Sequence, residues 1–88
     1  MKLKTGFMLR EIAGEWLVVP IGDRTVEFTK LINLSESAAI LWRVLENDVE
    51  PYDLLAALKA EYEIDDETAM ADIIDFVAML DMQELLEE

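Results

Sequence analysis

Leu31-Ile32-Asn33-Leu34-Ser35-Glu36-Ser37-Ala38-Ala39-Ile40-Leu41-Trp42 is the stretch on which the fold turns. Up to Leu34 the apolar residues recur with a period of two or fall in short β-branched runs, as strands do. From Ser35 onward they recur with a period near 3.6, as in a helix with one apolar stripe. Ser35 is a good N-cap, and Glu36 in the first turn suits the positive end of the helix dipole. Residues 36–46 are therefore predicted as a helix presenting Ala38, Leu41, Trp42 and Leu45, stopped by Asn47-Asp48.

Upstream of this switch the chain is punctuated by Gly6, Gly14 and Gly22. Phe7–Ile12 and Glu15–Ile21 flank Ala13-Gly14, which reads as a tight hairpin turn. Pro20 places the end of the second run at an edge or outside the ladder. Gly22-Asp23-Arg24 is expected as a loop. Val26 and Phe28 alternate weakly before Leu31–Leu34 forms a third short strand.

Downstream, Pro51 sits at the first position of a second helix, where its missing N–H costs nothing, and Leu54, Leu55, Leu58 and Tyr62 make the apolar stripe. Asp65 caps a third and longest helix, running to about Gln83. Ala69, Ile73, Phe76, Val77 and Leu80 share its core face, with Met70 and Ile74 to one side. Asp72, Asp75 and Met79 lie on the other flank, with Met82 next to them. Met79 either adapts to a partner, as a flexible thioether can, or packs under a neighbouring loop or under Leu85-Leu86. Trp42 and Tyr62 are read as core and hinge packing. The order of elements gives a single α+β domain over residues 1–88: a three-stranded antiparallel N-terminal sheet followed by three helices, winged-helix-like.

Composition narrows what such a domain can do. With 88 residues there is room for one core and little room for an enclosed active site. The chain has no Cys, which excludes disulfides, zinc–thiolate sites and thiol nucleophiles, and no His, the commonest general base and transition-metal ligand. Asp72 and Asp75 stand at i, i+3, as paired catalytic acids can, but no nucleophile, base or oxyanion donors accompany them. Asp65-Asp66-Glu67 lacks the spacing and glycine of a calcium loop. No metal, cofactor or catalytic residue is expected, and no enzyme. No secretory signal or membrane-spanning run follows Met1-Lys2-Leu3-Lys4, so the expected location is the cytoplasm.

Charge is distributed unevenly. Residues 61–88 carry eleven acids and no base, −11, and the other sixty residues carry nine acids against seven bases, −2, together the −13 of the chain. Winged-helix folds often bind DNA, but helices this acidic would repel a phosphate backbone, so nucleic acid is excluded as a partner. A basic peptide or protein face would be drawn in, with salt-sensitive association.

The residues also resemble a known family. Leu9-Arg10-Glu11-Ile12-Ala13-Gly14-Glu15 with Leu17-Val18-Val19 is similar to the opening hairpin of the PqqD family, the peptide-recognition domains of which the pyrroloquinoline quinone synthesis protein D is the type. Leu34 to Trp42 resembles that family's strand-to-helix signature. Glu61-Tyr62, then Ala71-Asp72 through Phe76 and Leu80, resembles its ending. The likeness covers residues 7–86. The chain departs from the pattern at Glu84, where the family usually has Gly before a final pair of leucine-like residues, and at Asn47-Asp48-Val49-Glu50-Pro51, where a Gly and a Thr are usual.

The resemblance implies a non-catalytic module that binds the leader segment of a ribosomally made precursor peptide. It would present that peptide to a modifying enzyme, often a radical S-adenosylmethionine enzyme. An exposed Leu31–Leu34 strand would offer free N–H and C=O groups to an incoming extended peptide. The residues expected to line the binding site are Leu31, Ile32, Asn33 and Leu34 from the strand and Asp72, Asp75, Phe76 and Met79 from the third helix, with core packing an equal alternative for Leu31 and Leu34. Two other readings stay open: an adaptor that binds a folded partner and no leader, and a homodimer formed when the exposed strand pairs with a copy of itself.

Overall fold

The computed structural model describes residues 1–27 and 31–87. Its elements are β1 (Phe7–Ile12), β2 (Glu15–Pro20), α1 (Arg24–Glu27), β3 (Ile32–Leu34), α2 (Glu36–Val44), α3 (Pro51–Glu61) and α4 (Asp66–Met82). The strands form one antiparallel sheet in the order β1-β2-β3, followed by the helices, an α+β fold as expected.

The β1–β2 turn explains its own sequence. Ala13 and Gly14 both have positive φ, 53° and 81°, the geometry whose twist matches the flanking strands. Register then follows: Leu9 lies opposite Val18, and Val18 opposite Ile32. Because side chains alternate across a sheet, Leu9, Trp16, Val18, Ile32 and Leu34 share the inner face, where Val18 is fully buried. Met8, Arg10, Leu17 and Asn33 point outward.

Caps begin α2 and α4 where the sequence places them. The Ser35 hydroxyl accepts from the Ala38 N–H at 3.1 Å, and the Asp65 carboxylate accepts from the Thr68 N–H at 2.7 Å. Below them, Leu41, Trp42, Leu45, Leu54, Leu58, Ala69, Ile73, Phe76 and Leu80 form one core with Val18 and Leu34. Each buried leucine of this kind contributes about 1.5–3 kcal/mol by leaving water. Arg43 lies over the Trp16 ring, 5.1 Å from its centre, and ties α2 to β2.

Several local expectations are corrected. Gly22 and Asp23 form a turn as expected, but Arg24 does not continue it toward a strand. Residues 24–27 close one helical turn, seeded by i→i−3 bonds such as Thr25 N–H to Gly22 C=O, and Val26 stands exposed on it. Phe28, read as alternating with Val26, lies outside the described residues. Leu31 precedes β3 and is exposed. The first predicted helix ends at Val44 rather than residue 46, because Glu46 and Asn47 donate three residues back and tighten the chain into a turn.

The two ends of the chain are joined. Leu3 bridges Leu86, Lys4 N–H donates to Leu85 C=O and Glu87 N–H to Lys2 C=O, with Leu3 and Leu85 both in the core. Leu85 reaches that position through a Schellman turn at the end of α4: Leu85 N–H bonds to Leu80 C=O and Glu84 N–H to Asp81 C=O. Glu84 occupies its left-handed position at φ 57°. Among the described residues no helix is long and apolar enough to cross a membrane.

Candidate functional site: a cleft beside the free edge of β3

β3 pairs with β2 on one side only, and among the described residues no strand covers its other edge. A sheet edge of this kind leaves backbone donors and acceptors pointing at solvent. Ser35 ends the strand and begins α2 at once, so the edge is short and its far end is fixed by the cap.

Next to this edge runs a cleft of about 320 Å³. β3 contributes Asn33 and Leu34. The start of α2 contributes Ser35, Ser37, Ala38 and Leu41. α4 contributes Asp72, Asp75, Phe76 and Met79, one flank of the helix over two turns. Leu34, Leu41 and Phe76 are buried and form the floor, Ala38 and Met79 are half-buried, and the two aspartates are exposed at the lip. Asp72 and Asp75 make no hydrogen bond or ion pair among the described residues.

The structure thus brings together six of the eight residues named from the sequence: Asn33, Leu34, Asp72, Asp75, Phe76 and Met79. Ile32 points instead into the sheet's inner face and packs on the core, and Leu31 stands exposed beyond the strand. The Asn33 side chain turns to the outer face, where its amide donates to a Glu15 carboxylate oxygen at 3.2 Å. The other flank of α4, marked by exposed Ile74, takes no part in the cleft. Ser35, read only as a cap, and Ser37, Ala38 and Leu41 were missed. The signal was available for Leu41, one turn beyond Ser37 and Ala38 on the helix that β3 leads into, but periodicity assigns such a residue to the core alone.

A second hollow adjoins the first. Its walls include Leu58 of α3, Tyr62 at that helix's C-cap and Ile64, and Ser35, Ser37 and Asp72 line both hollows. The Tyr62 hydroxyl donates to Glu36 at 2.9 Å, and this bond to a carboxylate raises the tyrosine above its ordinary pKa. Lys59, the base on α3, is held in an ion pair with Asp66.

None of the curated proteins matches the chain. Among solved structures, it is similar to TbiB1 in complex with the TbiA(beta) leader peptide: TM-score 0.76 and 26% identity, over 99% of this chain and 95% of that one. The family described as Coenzyme PQQ synthesis protein D (PqqD) matches residues 7–86, from the first residue of β1 to the bridge at Leu86. With its hairpin, strand-to-helix switch and helical ending all inside that span, the chain belongs to the PqqD family.

Proposed function

We propose that the chain binds the leader segment of a ribosomally synthesised precursor peptide as an added strand on β3 and presents it to a modifying enzyme. The observation that carries this reading is the free β3 edge lying beside an apolar-floored cleft, in a fold similar to one solved with a leader peptide. Main-chain hydrogen bonds to Ile32–Leu34 supply general affinity, and the cleft between β3 and α4 reads alternate side chains of the peptide. The role is non-catalytic and cytoplasmic, and the enzyme served is of the peptide-modifying kind, radical S-adenosylmethionine enzymes included.

A leader that is disordered when free gives up a few kcal/mol on ordering, so the expected Kd is about 0.1–10 µM. The test is titration of ¹⁵N-labelled protein with a synthetic leader from the nearest short open reading frame. Shifts concentrated at residues 32–34 and on the Asp72–Met79 flank support strand addition. Absence of shifts with every neighbouring peptide transfers the reading to an adaptor for a folded partner.

A further inference from the structure

Resting on the reading just given, we infer that the peptide bound beside β3 carries a basic residue, lysine or arginine, seated over Asp72 and Asp75 with apolar residues on both sides of it. Three observations converge on this chemistry. The first is the absence of an internal counterion: both carboxylates stand exposed at the lip without a hydrogen bond or ion pair among the described residues. Among the described residues, the bases of the helices that flank the cleft are engaged elsewhere. Residues 61–88 contain none, Lys59 pairs with Asp66, and Arg43 lies over Trp16.

The second is the shape of the groove. Asp72 lines both hollows: on one side the floor of Leu34, Leu41 and Phe76, on the other the wall of Leu58, Tyr62 and Ile64. A peptide long enough to enter both passes over Asp72 between two apolar contacts. The third is the dielectric setting. A cation there sits over hydrocarbon on both sides, which strengthens its attraction to the carboxylates relative to open water, and an acidic side chain at the same place meets like charge from Asp72, Asp75 and, further along, Glu36. The pattern recognised is therefore apolar, basic, apolar, and the charge selects among peptides that the strand edge alone would accept alike.

The test is selection of a displayed random octapeptide library on the full chain, with the enriched peptides mapped by ¹⁵N chemical shifts. Peptides that shift residues 32–34 are expected to be enriched in Lys or Arg at one position flanked by apolar residues. Asp72→Asn and Asp75→Asn are each expected to weaken them about threefold and the double variant about tenfold, less so at 1 M salt. Both positions are solvent-facing, and thermal melts verify folding. The charge-reversed Asp75→Lys is expected to shift the selected position toward Glu or Asp. Peptides that bind at β3 with no basic preference and no response to the Asn variants overturn this inference while leaving strand addition standing. If no selected peptide shifts β3, both fall together.

Discussion

Glu84 pays for the turn that ends α4. Its φ of 57° lies in the left-handed region, where a Cβ crowds the following carbonyl and glycine is at ease. The glycine that the family usually has at this position, and that this chain lacks, thus has a conformational explanation. Glu84→Gly is expected to stabilise the protein by about 0.5–1 kcal/mol, read as a rise in the denaturant midpoint at unchanged slope. Ala13 poses the same problem at φ 53° in the hairpin, and Ala13→Asn is expected to be stabilising by about 0.5 kcal/mol in the same assay. Asp65 shows how a single cap writes itself into the pH profile. Its hydrogen bond from Thr68 N–H holds the carboxyl below its ordinary pKa. A depressed folded-state pKa contributes stability that is complete above the unfolded value and is lost as the pH falls through the folded one. Asp65→Asn keeps a capping oxygen, so stability at pH 7 is expected to change little while the decline below about pH 4 becomes shallower.

At the level of elements, the strands and the three long helices could be read from the chain because each carries its own local signal. Ala13-Gly14 sets one turn, Ser35 and Asp65 cap two helices, and Pro51 opens the third. α1 escaped because four residues are too few for a period. The cleft was legible by half for a related reason. The α4 flank follows from helical angle, since Asp72, Asp75, Phe76 and Met79 must lie together whatever they face. That α2 supplies the opposing wall depends on how two helices pack, which periodicity does not report. Leu41 is the residue where both roles meet, as core and as cleft floor. Leu41→Ala is expected to cost about 2–5 kcal/mol in chemical denaturation, and it opens the floor of the groove as well. Ser35→Ala removes the α2 cap at the end of β3 and is expected to cost about 1 kcal/mol in the same experiment.

On the scale of the whole molecule, charge opposes compactness. A net charge of −13 on 88 residues, most of it in the last third, presses the α4 region outward, and screening relieves that pressure. The melting temperature is expected to rise by several degrees between 10 mM and 500 mM sodium chloride; a flat response would show that the carboxylates are too well solvated to feel one another. The hydrophobic pattern announced one core, but nothing in the sequence announced that Leu3 and Leu86 would meet, since a bridge of one residue pair leaves no periodic trace. That bridge between Leu3 and Leu86 gives the fold a property of its own. Chain enters and leaves about one strand spacing apart, ~5 Å, so the unit resembles a bead with a single opening. A host protein could carry it spliced into a surface loop, held by both ends, without its own framework being stretched, and the bead would bring its free β3 edge with it.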